Sequence, residues 1–281
     1  MKTIISLVAG LFMSIGVAQA NDALDQVRES GVLQFAVYEN FPPYSYKVKG
    51  RGVGLDVEVA RAIAEKLGVV GAAKMVGADE NMEDDLRNNV WKGHYIGGGV
   101  VHVMMHVPLD PEFAEENDKV NILAPYYREQ IVVGVKRSLG GPGFDMSIFT
   151  EEKIGVELDT LADIYRLSAY QGQLRDNVVH YRNLTEASEA LKRGEIAAIM
   201  GPRGEVEASL SDRKADFMVG PVRMPGVRQS GWDVGMAIKA SNPQLTAAVS
   251  DAMVELHKEG RIAHIFEKYG LTYQAPSIQR R

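Results

Sequence analysis

The sequence of 281 residues predicts an α/β protein with largely parallel sheets. Short apolar segments typical of strands alternate with segments whose apolar residues recur at helical spacing. The alternation comes in two blocks, separated by the glycine-rich run 140–143. Beyond the first twenty residues, no run approaches the ~18 consecutive apolar residues of a membrane-spanning helix. These observations predict a soluble globular chain.

The first twenty residues predict a secretory signal peptide. Lys2 supplies a positive charge, residues 4–17 form an apolar stretch, and Ala18-Gln19-Ala20 has the pattern of a cleavage site. We expect cleavage before Asn21. Because the chain has no cysteine, it has no disulfide, and we expect no lipid anchor at that point. The sequence therefore predicts a freely diffusing periplasmic protein without a membrane anchor.

The elements of the first block follow from apolar spacing and from glycine and proline breaks. Apolar residues at 57, 59, 60, 63, 64 and 67 recur as on a helix, and Gly68 follows as a helix end requires. The predicted elements are a strand at Gly31–Tyr38, helices at Asp56–Leu67 and Glu83–Lys92, and strands at Val100–Val107 and Ile131–Val135.

The second block repeats this alternation of strands and helices. We predict strands at Lys153–Glu157, Val178–Tyr181, Glu195–Met200 and Trp232–Ile238, and helices from Thr160 to about Tyr170, at Thr185–Arg193 and through the tail to Lys268. In open parallel sheets, ligands bind beyond the carboxyl ends of the strands.

Five segments in order resemble the bacterial extracellular solute-binding proteins of the amino-acid-receptor family. They are 41–44 (FPPY), 54–68, 124–127 (APYY), 153–160 and the tail from 235 to 270. The resemblance implies an α/β, two-lobed type II periplasmic binding protein, with two mixed or parallel sheets flanked by helices and joined by two crossover strands. It implies lobe 1 at 21–130 and 232–281, and lobe 2 at 131–231.

Two charged contacts of that family are missing. Phe113, in Asp110-Pro111-Glu112-Phe113, stands where the family has an arginine that binds the ligand carboxylate bidentately. The strand ending at Met200 leads to Gly201 and Pro202, where the family has an aspartate for the ligand ammonium. These departures predict that the cleft does not bind free amino acids.

The runs 84–95, 106–110 and 124–129 resemble a narrower branch, the quinoprotein-dehydrogenase-associated binding-like proteins of the MxaJ/XoxJ type. That resemblance implies a non-catalytic periplasmic accessory protein, itself without a cofactor, for assembly or maturation of a PQQ-dependent methanol dehydrogenase. The dehydrogenase or its subunits would be the partner. The alternative is a substrate-binding protein that hands a small neutral or aromatic solute to an ABC transporter.

Nine residues are candidates for the ligand cleft. Aromatic residues on the proline turn either stack on a planar ligand or belong to the core. Residues 91–95 form either a cleft wall or an ordinary loop, and Arg203 either helps a helix start bind an anion or merely follows a helix-starting proline. The candidates are Phe41, Tyr44, Trp91, His94, Tyr95, His106, Phe113, Thr160 and Arg203.

The sequence predicts neither a metal site nor catalysis. His102 and His106 lie on a predicted strand, where a separation of roughly 13 Å is too wide for one ion. No serine has a recognisable nucleophile motif or partner. A net charge of −6 also argues against nucleic acid as a partner.

Overall fold

The computed structural model of the chain describes residues 22–141, 145–227 and 229–277, so the predicted signal peptide lies outside the described residues. The α-helices are α1 (Ala23–Ser30), α2 (Leu55–Lys66), α3 (Met82–Leu86), α4 (Pro111–Glu116), α5 (Leu161–Ser168), α6 (Leu184–Arg193), α7 (Arg203–Ser209), α8 (Pro243–Lys258) and α9 (Arg261–Lys268). The strands are β1 (Val32–Tyr38), β2 (Asn40–Phe41), β3 (Ser45–Val48), β4 (Arg51–Val53), β5 (Val70–Val76), β6 (Val103–Pro108), β7 (Val120–Lys136), β8 (Ile154–Glu157), β9 (Val178–Tyr181), β10 (Ala198–Pro202), β11 (Phe217–Pro221) and β12 (Gly231–Lys239).

The strands form two mixed sheets that share β7. The hydrogen-bonded order is β5-β1-β6-β12-β7-β10-β8-β9, with β11 also paired to β7 and β2-β3-β4 forming a small separate sheet. Strand β1 is parallel to β5 and β6, and β8 is parallel to β9 and β10. Strands β12, β10 and β11 pair with β7 in antiparallel fashion. The predicted α/β fold with two lobes is confirmed.

Strand β7 crosses from one lobe to the other. Through Gln130 it pairs with β12, and from Ile131 onward it pairs with β10. The change of partner falls at the predicted lobe boundary, and we propose 21–130 with 232–281 and 131–231 as the two lobes. Only the second half of β7 is predicted from the sequence, because Arg128 and Glu129 interrupt the apolar pattern of the first half.

Apolar side chains cover both faces of each sheet. In lobe 1, Ile63 and Phe266 pack on one face and Leu86 and Met104 on the other, and all four are at most 2% exposed. Lobe 2 likewise has a cluster on each face of its sheet. Each such side chain contributes ~1.5–3 kcal/mol when fully buried, so each lobe has a core of its own.

Most predicted elements are present with small shifts at their ends. The strand at Val178–Tyr181 has the predicted bounds, and Gly68, after α2, has the positive φ of 74° that a helix end requires. The helix predicted at Glu83–Lys92 is divided into α3 and a π-helical segment, Arg87–Trp91. No helix of the described part of the chain is both long and apolar enough to cross a membrane.

Candidate ligand-binding cleft

A cavity of about 620 Å³ lies between the lobes, beyond the carboxyl ends of β8 and β10. Lobe 1 contributes Asn40, Phe41 and Pro42 to its wall. This is the place where an open parallel sheet is expected to bind a ligand. The lobe 2 lining residues are Glu157, Thr160, Asn183, Leu184, Thr185, Glu186, Met200, Gly201, Pro202 and Glu205.

The polar residues at the helix starts of lobe 2 are held by local hydrogen bonds. The Thr160 hydroxyl donates to the carbonyl of Glu157 at 2.8 Å and accepts from the amide of Asp163 at 3.3 Å. The Asn183 side chain accepts from the amide of Glu186 at 2.9 Å and so caps α6. Thr160 is therefore a cavity residue, as expected, and its hydroxyl is already engaged by the backbone.

Two carboxylates of lobe 2 reach the inner part of the cavity from different elements. Glu157, at the end of β8, accepts a hydrogen bond from the amide of Leu184 at 3.1 Å, and desolvation raises its pKa. Glu205 lies in the first turn of α7 and has no hydrogen-bond or ion-pair partner among the described residues. Desolvation, with the charges of Glu157 and Glu129 nearby, raises the pKa of Glu205 to about 8.

The sequence did not single out Glu205, although a signal was available. It stands three residues after Pro202, and a proline at the end of a strand often starts a helix. A carboxylate in the first turn is then explained by the helix dipole, as at many helix starts. The position of this turn against the cavity depends on the packing of α7, which the sequence pattern does not give.

A cluster of aromatic and charged residues fills the junction between the lobes beside the cavity. We call it the junction cluster; its members are Tyr44, Asp56, His106, Tyr126, Tyr127 and Glu129. His106 Nδ1 lies 3.0 Å from Asp56 Oδ2, and the Tyr126 hydroxyl donates to Asp56 Oδ1 at 2.6 Å. The Asp56 side chain is fully buried, so both contacts are needed to offset the loss of water.

His106 occupies a bulge in β6. Its φ of 64° is unusual for a residue with a side chain, and the register with β12 shifts at this point. The bulge places the imidazole against the rings of Phe41 and Tyr44, at centroid distances of 4.7 and 4.4 Å. Phe41 lines the cavity, whereas Tyr44 and His106 do not. Of these three candidates, only Phe41 is therefore in position to contact a ligand.

Glu129 is the most fully paired carboxylate of the junction. It accepts hydrogen bonds from the Tyr44 hydroxyl, from the amide of Gln130 at 2.8 Å and from the amide of Arg203 at 2.9 Å. Tyr44 lies in lobe 1 and Arg203 begins α7 in lobe 2, so Glu129 joins the two lobes at the crossover strand. Burial raises the pKa of the Tyr44 phenol well above its usual value, so it remains a donor.

Gly204 allows the closest approach between Tyr44 and α7. A Cβ at this position would overlap the Tyr44 hydroxyl. The neighbouring Arg203 points away from the cavity, with Nη1 3.2 Å from Glu207 and Nη2 3.4 Å from the Gln130 side chain. Arg203 instead lines a second cavity of about 340 Å³. It is not in position to hold an anion in the cleft between the lobes.

The remaining candidates lie in lobe 1 away from the cavity. Trp91 and Phe113 pack against the core cluster around Met104. Tyr95 is 90% exposed in the loop after the π-helical segment, and His94 stacks on it at a centroid distance of 4.5 Å. Phe41 and Thr160 therefore line the cavity, whereas these four residues lie outside it.

The two histidines of the sequence prediction have separate roles in the structure. His102 precedes β6, and its Nδ1 accepts from the amide of Gln34 at 3.0 Å, whereas His106 belongs to the junction cluster. Among residues 22–141, 145–227 and 229–277, no group of three or more His, Asp or Glu side chains is arranged to hold a metal ion.

Residues 33–90 match the model of the bacterial extracellular solute-binding proteins, family 3. The chain has the two-lobed α/β fold of solved solute-binding proteins. An ancestral cationic amino acid solute-binding protein aligns with a TM-score of 0.70 and 20% identity, over 88% of this chain and 99% of that one. A solute receptor for L-cysteine from Neisseria gonorrhoeae aligns with a TM-score of 0.59 and 22% identity, over 88% and 92%. These structures bear on the fold alone.

Two relatives are similar in sequence over most of their length. The L-cystine-binding protein of Escherichia coli strain K12 is 25% identical over 271 residues, which cover 94% of this chain and 91% of that protein. The probable ABC transporter arginine-binding protein of Chlamydia trachomatis is 25% identical over 235 residues, which cover 82% of each. The predicted resemblance to extracellular solute-binding proteins is confirmed, and relatives of this chain are named as binding proteins.

These relatives contradict the accessory role. The predictions of a function in methanol oxidation and of a PQQ-dependent methanol dehydrogenase as partner are wrong, because the relatives are amino-acid-binding proteins and one is a probable ABC transporter component. The runs that suggested the narrower branch have local structural explanations. Trp91 packs in the lobe 1 core, His106 pairs with Asp56, and Asp110 caps α4.

Proposed function

We propose that the protein is the solute-binding component of an ABC transporter, and that it captures a small organic solute between its lobes. The observation that carries this proposal is the cavity, whose wall comes from both lobes at the carboxyl ends of β8 and β10. Its volume of about 620 Å³ is in the range typical of small-molecule sites. The names of the relatives support the same role.

The lobes are connected in a way that permits closure around a solute. Strand β7 and the segment that returns to β12 join them, and the contacts of Glu129 with Tyr44 and Arg203 form where the lobes meet. A ligand held by both walls favours the state in which these contacts are made. The closed form with solute would then be the form that a transporter recognises.

The same geometry favours binding over catalysis. The His106 and Asp56 pair is completed by a tyrosine, Tyr126, which is fully buried and does not line the cavity. We propose that the protein performs no reaction on its solute. We also propose that residues 1–20 direct export, so that binding takes place in the periplasm.

A thermal-shift screen of a chemically diverse library of small solutes tests this function. A ligand at a hundredfold excess over its Kd adds ~2.7 kcal/mol, which raises the Tm of a chain of this size by roughly 5 °C or more. Small-angle scattering of the same samples should show a smaller radius of gyration with the ligand. The proposal is wrong if amines, amino acids, sugars and neutral aromatics all leave both the Tm and the radius unchanged.

A further inference from the structure

The charged residues that line the cavity are all acidic. They are Glu157, Glu186 and Glu205, and none of the described residues lining the cavity is lysine, arginine or histidine. Glu186 is paired with Arg182 at 2.6 Å, so Glu157 and Glu205 are the lining carboxylates without a basic partner among the described residues. A cleft lined in this way attracts cations wherever these carboxyl groups are ionised.

Glu205 is the member of this set without a partner. A carboxylate withdrawn from water costs free energy unless hydrogen bonds or an opposite charge offset the loss. Glu157 has the amide of Leu184, and Glu129 has four donors, but Glu205 has neither a donor nor a cation among the described residues. A positively charged ligand group beside it would supply the missing partner.

The cavity wall offers little to a ligand carboxylate. The amide of Leu184 is taken by Glu157, the amide of Glu186 by Asn183 and the amide of Asp163 by Thr160. The Arg203 guanidinium points to Glu207 and Gln130, and Phe113 packs in the lobe 1 core. Among the described residues of the wall, a ligand carboxylate would meet acidic side chains and no cation, which disfavours its binding.

We infer that the cleft binds an organic cation, an amine or guanidine that carries no carboxylate, with its charged group against Glu205 and Glu157. The inference rests on the proposed function and names its class of solute. Phe41 supplies the aromatic surface of the opposite wall, where a cation or the carbon chain of the ligand can pack. Phe113 and Gly201-Pro202 stand at the two positions where the resemblance to amino-acid receptors implies charged contacts with an amino acid.

Matched pairs of ligands test this inference by titration calorimetry of the mature protein. Agmatine and arginine differ by one carboxylate, as do tyramine and tyrosine, and tyrosol replaces the amine of tyramine by a neutral hydroxyl. We expect at least one of the two amines to bind with a Kd at least tenfold lower than that of its amino acid. For tyramine, the neutral alcohol should bind at least tenfold more weakly as well.

The substitution Glu205→Gln should weaken amine binding at least tenfold while the protein stays folded, as judged by circular dichroism. The matched control is Glu189→Gln, which removes one exposed carboxylate of lobe 2 outside the cavity and should leave the Kd within a factor of two.

The outcomes separate the inference from the proposed function. If arginine or tyrosine binds as tightly as its amine, or tyrosol as tightly as tyramine, the inference is wrong and the solute-binding function stands. If Glu205→Gln binds the amine as the wild type does, the inference is also wrong. If neither the amines nor any compound of the wider library binds, both the inference and the proposed function are wrong.

Discussion

Glu129 is buried beside the cavity and Glu205 is half-buried in its wall, and the surroundings of the two carboxylates are opposite. Glu129 receives hydrogen bonds from Tyr44, Gln130 and Arg203, and thereby joins the two lobes. Glu205 has no partner among the described residues, and desolvation raises its pKa to about 8. The first carboxylate stabilises the closed arrangement of the chain itself. Glu205 lowers the stability of the empty protein, and we propose that a ligand cation pairs with it.

Loss of Glu129 should cause the largest loss of stability. Glu129→Ala leaves the Tyr44 hydroxyl and the amide of Arg203 buried without an acceptor, which should lower the free energy of unfolding by about 3 kcal/mol. Urea denaturation measures this loss. The control Glu195→Ala removes an exposed carboxylate and should change the value by less than ~0.5 kcal/mol. Equal stability of the two variants would contradict the role given to Glu129.

Loss of the Glu205 charge should act in the opposite direction. Because the pKa of Glu205 is raised in the folded state, the folded protein binds more protons than the unfolded chain between pH ~4.5 and ~8. Its contribution to stability therefore falls as the pH rises through this window. Without ligand, Glu205→Gln should be more stable than the wild type at pH 8.5, by ~1.4 kcal/mol for each pH unit by which folding raises the pKa of Glu205, and nearly equal to it at pH 4.

Denaturation of both proteins at several pH values checks this expectation. Gln substitution keeps the size of the side chain, so the pH dependence of the difference isolates the charge. If Glu205→Gln is less stable than the wild type at pH 8.5, the carboxylate already has a partner in the empty protein, and the contrast with Glu129 disappears.

A smaller effect is expected where the lobes touch at Gly204. The added methyl group of Gly204→Ala would overlap the Tyr44 hydroxyl and should hold the lobes apart, at a cost of about 1–3 kcal/mol. The radius of gyration with ligand should then stay near that of the empty protein. The control Gly220→Ala adds a methyl group where no atom lies within 4 Å and should leave closure unchanged. Wild-type closure of Gly204→Ala would show that this contact does not limit the approach of the lobes.

The smallest effect should come from the exposed loop of lobe 1. Tyr95 is 90% exposed and lies outside the cavity, so Tyr95→Ala should change stability by less than ~0.5 kcal/mol and leave ligand affinity unchanged. The matched measurement is Phe41→Ala, which removes an aromatic cavity wall and should weaken binding. A loss of affinity in Tyr95→Ala similar to that in Phe41→Ala would restore residues 91–95 as part of the binding site.

The sequence predicts the elements of the fold better than the members of the site. The strand at Val178–Tyr181 and the helix ending before Gly194 follow from local apolar spacing and capping, which the sequence contains directly. Phe41 and Thr160, which line the cavity, could be predicted from the sequence because each adjoins a predicted element. Trp91 and Phe113 pack against the core of lobe 1. The spacing of apolar residues does not distinguish an aromatic residue of the core from one that lines a cleft.

The contacts at the site join residues that are far apart in the sequence. Tyr44 reaches Glu129 across 85 residues, and Asp56 reaches His106 across 50. The sequence pattern misses the first half of β7 for the same reason, since Arg128 pairs with Asp233 on β12 and Glu129 with Tyr44 and Arg203. Glu205 is distinguished only by what surrounds it once α7 has packed, so its role appears in the structure and not in the pattern of residues.

The number of protons released on binding shows whether a ligand cation pairs with Glu205. At pH 7 the Glu205 carboxyl of the empty protein is mostly protonated, and a cationic ligand beside it would favour the charged form. Calorimetric titration of the bound amine in two buffers of different ionisation enthalpy should therefore show release of close to one proton from the wild type and close to none from Glu205→Gln. Amine binding to the wild type without proton release would contradict the claim that the ligand cation pairs with Glu205.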